Sequence, residues 1–267
     1  MRIARFVAPG ANPQFGLVEL ASDQGSNPDT IAAIDSDPLA GVPVNYTGER
    51  FNLADVRLVS PVIPRSKVVA VASNYAAHIA EMGVKKPSRP IFFFKPNTTV
   101  IGPGDAIVCP PECENLHYEG ELAVVISRVC KRVPIERVGE VIFGFTCAND
   151  VTARDLQAKD HQWSRAKGWD TFCPLGPWIV SHIGLQEAGD LTIQTRLDGE
   201  LRQDASTAEM LRPISELVSL ISDFTTLLPG DVILTGTPAG VGQMNAGQQV
   251  SVTIEGIGEL SNPVVNE

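Results

Sequence analysis

The apolar residues of this chain come in short runs, each closed within a few residues by Gly, Pro, Asn or Asp. "PIFFFKP", "GELAVVI", "EVIFGFTCAND", "CPLGPWIVSH", "LTIQTRLDGE" and "GDVILTGTP" follow one another from residue 90, and "VSVTIEGIGELSNPVV" completes the series. Runs of this length suit strands and are too short for packed helices. The 23 glycines and 20 prolines supply the turns between them. Helical spacing appears in three places only: "NYAAHIAEM", "TARDLQAKDHQW" and "ISELVSLISDFTTL". Strands and helices do not alternate regularly, which argues against a doubly wound parallel sheet and for a β-rich α+β fold.

Before residue 60 the pattern is weaker. "RIARFVA" and "FGLVEL" read as a hairpin, and Ser22 to Thr47 is polar with little periodicity. "VRLVSPVIPRSKVVAVASNY" then reads as an entry strand, a Pro-rich break and a buried strand. Apolar density rises there, dividing the chain into a small N-terminal β subdomain, 1–60, and a larger domain, 61–267. With 21 Lys and Arg against 31 Asp and Glu, the formal charge is −10. That balance argues against nucleic acid or an anionic membrane as partner. The opening "MRIARFVAPG" is too short an apolar run for a signal peptide, and no later run approaches a membrane span. Cysteines 109, 113, 130, 147 and 173 are odd in number and scattered. They are expected to be reduced thiols in a cytoplasm. "CPPEC" lacks the second pair a zinc site needs and is set aside.

The stretch "HYEGELAVVI" sets two acids, Glu119 and Glu121, at the entrance of an apolar strand. Strand side chains alternate faces, so both carboxylates point the same way. Taken alone, Glu-x-Glu on a strand is more often a solvated face. A second strand, "VIFGFTCAND", delivers Asp150 at its C-terminal end, and Thr152 with Asp155 resembles a capping box starting a helix. Three converging carboxylates form an all-oxygen site that suits Mg²⁺ or Mn²⁺.

Other motifs keep two readings each. Lys167 of "RAKGWD" could hold a substrate carboxylate or move a proton, or simply favour a helix C-terminus. In "NYAAHIAEMG", Asn74 is a good N-cap, Gly83 a good stop, and Tyr75, Ile79 and Met82 form the apolar stripe. His78 and Glu81, three apart, form either a surface pair or a catalytic dyad. A helix this short is marginal by itself and is expected to be mobile without ligand. "LTGTPAGVG" has no Walker lysine. It is either a tight turn or a loop offering backbone N–H groups and the Thr237 hydroxyl to an anion.

In this order, "NYAAHIAE", "FFFKP", "HYEGELAVVI", "NDVTARDLQ", "KGWDTFCPLGPWIV" and "LTGTPAGVG" resemble the fumarylacetoacetate hydrolase family. The resemblance implies a mixed β-sheet roll, a homodimer, and Mg²⁺ or Mn²⁺ held by Glu119, Glu121 and Asp150. It also implies a water-activating dyad of His78 and Glu81 on a lid and an active-site Lys167. Arg154, Gln157 and Thr237 match positions that contact a 2-oxo acid, and Lys95 takes a supporting role. The chain departs from the animal enzyme in offering Asn74 near a further acidic ligand's position and in being shorter, as in the smaller, largely bacterial branch. Ala72-Ser73 replaces the usual Gly-Leu. The implied reaction is C–C hydrolysis of acylpyruvate-type 2,4-dioxo acids through a metal-bound pyruvate enolate. Oxaloacetate decarboxylation and isomerisation of a hydroxy-diene dioate are the alternatives, with a non-catalytic keto-acid binder as the last.

Overall fold

A computed structural model describes residues 1–24 and 28–267. Among them a twelve-stranded sheet dominates. Ten of its strands run in the order Tyr46–Asn52, Thr30–Ile34, Gln14–Glu19, Arg2–Val7, Cys173–Val180, Ile142–Asn149, Gly120–Ile126, Val232–Leu234, Val68–Ala72, Ile91–Lys95, while Arg57–Val59 pairs with Arg2–Val7 and Val100–Ile101 with Cys173–Val180. The hairpin at the N-terminus therefore continues into the central strands through pairing of Arg2 and Ile3 with Val180 and Ile179. Most neighbours are antiparallel, but Val232–Leu234 runs parallel to Val68–Ala72, so the sheet is mixed. A second sheet of five strands includes Thr192–Leu197, Glu200–Ser206 and Gln249–Ile254. The chain is thus β-rich α+β.

The strand Gly120–Ile126 lies centrally, and every residue in it is buried. Leu122, Val124 and Ile126 join one apolar cluster, while Ala123 and Val125 join another on the opposite face. This is the period of two expected of a strand covered on both sides, and it explains a continuous apolar run where a half-exposed strand would alternate. Glu121 shares the face of Ala123 and Val125. Gly120 shares that of Leu122 and meets the five-stranded sheet at Thr195 and Val252.

Three local expectations need correction. The polar stretch 22–47 contains a buried strand, Thr30–Ile34, too short for its pattern to stand out; residues 25–27 of that stretch lie outside the described residues. "TARDLQAKDHQW" is not one helix but ends at Lys159, with a separate turn at Ser164–Lys167. Asp160 takes an extended conformation there, and its carboxylate receives Arg165, which draws the chain into the second turn. Thr152 does not cap the helix: it lies in the bridge Thr152–Ala153, and its hydroxyl donates to the Asp150 carbonyl at 2.8 Å. The longest helix among the described residues, Ile214–Phe224, buries Ile214, Leu217, Val218 and Ile221, the expected helical stripe.

Candidate active site

Glu119 and Glu121 emerge where Gly120–Ile126 begins, and Asp150 follows the end of the adjacent strand Ile142–Asn149. The strand ends are tied together at this point. Gly120 pairs with Asn149, the Glu119 N–H donates to Asn149 Oδ1 at 2.9 Å, and the Asp150 N–H donates to the Glu119 carbonyl at 2.8 Å. All three carboxylates are buried, and each offers an oxygen within 4.8 Å of the others.

Three cations face them. Lys167 Nζ donates to Glu119 Oε2 and Asp150 Oδ2, both at 2.7 Å. Lys95 Nζ reaches Asp150 Oδ1 at 2.5 Å. Arg154 donates through Nη2 to Glu119 Oε1 at 2.5 Å and through Nη1 to Gln157 Oε1 at 2.6 Å. Lys167 does end a short helix, as the bland reading of it held, but its ammonium is buried against two acids instead of serving the helix end. Burial works against its charge, yet Asp150 and Glu119 outweigh this and hold its pKa above 10.5. Burial likewise opposes the charge of Glu119, but Lys167 and Arg154 hold its carboxyl below the ordinary 4.5.

Glu121 is different. It makes no salt bridge among the described residues, and its Oε2 accepts only the Gly236 N–H, at 2.6 Å. Burial, then the charges of Asp150 and Glu119, raise its carboxyl well above 4.5. A buried carboxylate short of compensation, beside two others and with oxygen as the donor atom throughout, fits a hard divalent cation.

The helix Ala76–Glu81 stands over this cluster. His78 Nδ1 lies 3.1 Å from Glu81 Oε2. A carboxylate can only accept, so Nδ1 carries the proton and Nε2 keeps its lone pair. Glu81 Oε1 also accepts the Gly240 N–H at 2.9 Å, which fixes the pair to the Gly-rich turn. Gly83, at φ 63°, stops the helix as expected. Asn74 does not cap it. Tyr75 occupies that position, while the Asn74 side chain donates to the Thr235 and Arg212 carbonyls and accepts the Arg212 N–H. A side chain with both donors and an acceptor is used here to join three segments.

A cavity of about 350 Å³ opens onto Glu119, Glu121, Asp150, Lys167, Arg154, Gln157, Thr237 and His78. Of the site residues expected from the sequence, all but Glu81 and Lys95 thus line one space; Glu81 stands behind His78 and Lys95 behind Asp150. Thr237 is oriented differently from the expectation. Its hydroxyl donates to the Gly120 carbonyl at 2.9 Å and accepts from Gln203 Nε2 at 2.8 Å, so its proton is not offered to an anion. Lys95, expected in a supporting role, lies buried against Asp150, and Gln203 is a buried neighbour of the site that no spacing in the sequence marks. His117 is likewise unmarked; its Nδ1 accepts from Arg154 Nε at 3.4 Å. Burial, then Arg154, push that imidazole down to about 4, so it remains a neutral acceptor.

A β-rich mixed-sheet fold enclosing an acidic triad and a His–Glu pair defines a class, and the chain belongs to the fumarylacetoacetate hydrolase family. The family's signature, described as "Fumarylacetoacetate (FAA) hydrolase C-terminal", matches residues 67–265, and one described as "Rv2993c-like, N-terminal" matches residues 1–61. The chain is 40% identical over 225 residues to oxaloacetate tautomerase YisK of Bacillus subtilis, covering 80% of this chain and 75% of that one. It resembles a structure of 5-carboxymethyl-2-hydroxymuconate delta-isomerase from Mycobacterium smegmatis with TM-score 0.89 and 47% identity over 100% of both chains. It also resembles fumarylpyruvate hydrolase from Pseudomonas aeruginosa in complex with Mn²⁺ and pyruvate, with TM-score 0.73 and 34% identity, covering 79% and 92%.

Proposed function

We propose that this chain is a divalent-metal-dependent enzyme that hydrolyses a C–C bond in acylpyruvate-type 2,4-dioxo acids by way of a pyruvate enolate. The observation that carries the reading is the convergence on one cavity of three buried carboxylates within 4.8 Å and a His78 held by Glu81. Glu119, Glu121 and Asp150 would hold Mg²⁺ or Mn²⁺; the similar fumarylpyruvate hydrolase is described with Mn²⁺ and pyruvate. Once bound, the cation supplies Lewis acidity to stabilise enolate charge.

The chain's own groups account for the rest. His78 Nε2 takes a proton from water, and Glu81 stabilises the imidazolium that forms. Hydroxide adds to the distal carbonyl, the bond between C3 and C4 breaks, and the electron pair remains on the pyruvate fragment as its enolate. The proton held by His78 then passes to C3, which restores the neutral imidazole and yields pyruvate beside the released acid. Lys167, Arg154 and Gln157 line the place where a carboxylate or oxo group would lie. The site is expected to work in a homodimer in the cytoplasm, with residues 1–60 as a small subdomain beside the catalytic 61–267.

A second reading is keto–enol tautomerisation of oxaloacetate. It is supported by similarity to a protein named for that reaction, and it asks His78 only to carry a proton between C3 and the 2-oxygen. The test is a rate panel with Mn²⁺ or Mg²⁺ on acylpyruvates, oxaloacetate and hydroxy-diene dioates, using wild type and His78→Ala. Acylpyruvate cleavage lost in His78→Ala is expected. Turnover of oxaloacetate alone would overturn the hydrolytic reading, and its persistence in His78→Ala would remove the dyad from the chemistry.

A further inference from the structure

Gln203 has no part in the chemistry above, yet its side chain is fully buried beside the acidic triad. It lies on the strand Glu200–Ser206, opposite Thr195 of Thr192–Leu197, and so reaches in from the five-stranded sheet. Its Oε1 accepts the Gly120 N–H at 2.9 Å. Its Nε2 donates to Thr237 Oγ1 and to the Pro238 carbonyl, both at 2.8 Å. Thr237 in turn donates to the Gly120 carbonyl at 2.9 Å. The amide's orientation follows from its partners, since an N–H needs the oxygen and a carbonyl needs the nitrogen.

These bonds close a ring. It leaves Gly120 through its N–H, passes through Gln203 and Thr237, and returns to the Gly120 carbonyl. Both polar backbone groups of one residue are therefore held by two buried side chains. That residue is the spacer between Glu119 and Glu121, so its tilt sets how the two carboxylates converge. Only an amide can serve at position 203, because the ring needs one acceptor for an N–H and two donors for two oxygens. Glutamate would lack the donors and leucine would lack everything.

Taking Glu119, Glu121 and Asp150 as the cation's ligands, as proposed above, we infer that Gln203 is the positioning residue of the metal site. It fixes the Gly120 peptide and so sets the pitch between the two glutamates. It also commits the Thr237 proton to Gly120. The Thr237 oxygen then faces the cavity with a lone pair, prepared to accept from a ligand hydroxyl or water instead of donating to a carboxylate.

The experiment is a titration of the full chain with Mn²⁺ alone, following free Mn²⁺ by electron paramagnetic resonance, in wild type, Gln203→Leu, Thr237→Val and the double variant. Each single change is expected to weaken Mn²⁺ about 10–100-fold, the range for residues that orient metal ligands. Because the two belong to one ring, the double variant should bind no more weakly than the weaker single one. Gln194→Leu, on the neighbouring strand with its side chain turned to an exposed Asp204, serves as the control and should bind as wild type. A purely structural role would lower the unfolding midpoint while leaving the Mn²⁺ affinity of folded protein unchanged. That result, or additive losses in the double variant, overturns the inference while leaving the cation reading intact. Should Gln203→Leu fail to fold, wild-type affinity in Thr237→Val overturns it equally. A wild-type protein that binds no Mn²⁺ overturns the cation reading itself.

Discussion

Gly120 has to be glycine for want of space. Its φ lies outside the left-handed region, so conformation makes no demand. A Cβ built there would stand 2.1 Å from Thr195 Oγ1, 3.2 Å from Gln203 Oε1 and 3.3 Å from Val252 Cγ1. The first distance falls about 1.3 Å short of ordinary 3.4 Å contact. Thr195 is fully buried and β-branched, and such side chains have few χ1 choices on a strand. Gly120→Ala therefore has to push one strand from the other. Overpacking of this kind costs about 1–3 kcal/mol. In a chain of this size that lowers Tm by about 2–4 °C for each kcal/mol.

Thr195 provides the counter-test, because its Oγ1 is buried without a hydrogen-bond partner among the described residues. Thr195→Ala removes an orphaned hydroxyl along with a methyl group, and the gain from the first offsets much of the loss from the second. The single change should cost less than about 1 kcal/mol by that balance. It should also relieve the clash, so Gly120→Ala/Thr195→Ala should be more stable than the sum of the two single effects by about 1–2 kcal/mol, a coupling typical of residues in contact. Urea unfolding followed by fluorescence and circular dichroism, on metal-free protein, measures all four corners. A Gly120→Ala variant as stable as wild type, or a strictly additive double variant, would refute the steric account.

Two further outcomes are expected. Glu119→Gln should abolish Mg²⁺ and Mn²⁺ binding as read by calorimetry, since one ligand charge is lost; undiminished binding would remove the triad from consideration. The raised carboxyl of Glu121 gives a pH dependence with a definite sign. A folded pKa above the unfolded one contributes stability in full below the unfolded value and loses it as pH rises through the folded value. Metal-free protein should thus lose stability over that rise, and Glu121→Gln, which cannot ionise, should flatten this part of the profile in thermal scans at a series of pH values.

The acidic triad was legible because strand geometry repeats every two residues: Glu119 and Glu121 must share a face whatever the fold around them. The apolar run behind them marked a covered strand for the same reason, and Asp150 could be placed at a strand end. Lys95 was harder. It closes the strand Ile91–Lys95, but no spacing rule links position 95 to position 150, and only sheet order brings them together. Gln203 sits in "ELRQDAS", a polar strand whose Glu200, Leu201 and Arg202 are exposed, so nothing in the composition marks it as buried. Asn74 carried a strong local signal for capping, which lost to three long-range bonds that satisfy its amide more completely. For Lys95, Gln203 and Asn74 local rules failed because each polar side chain found its partners far away in sequence.

The Gly-rich turn shows what such partners accomplish. Read from sequence it was either a plain turn or a cradle for an external anion. Its N–H groups do meet anions, but these are the chain's own carboxylates: Gly236 holds Glu121 and Gly240 holds Glu81. Both glycines take φ near +100°, and neither has room for a side chain. A Cβ on Gly236 would lie 2.7 Å from that of Asn74, and one on Gly240 would lie 2.1 Å from the Arg202 carbonyl. One five-residue turn thereby fixes a proposed metal ligand at one end and the partner of the proposed base at the other, with Thr237 bonded to the Gly120 peptide between them. The helix bearing His78 is too short to hold its own position, and the turn supplies the fixed point it lacks. Distance between base and carboxylates is then constrained by this loop together with the helix's own packing, in which His78 and Ile79 are buried and Tyr75 bridges Met210.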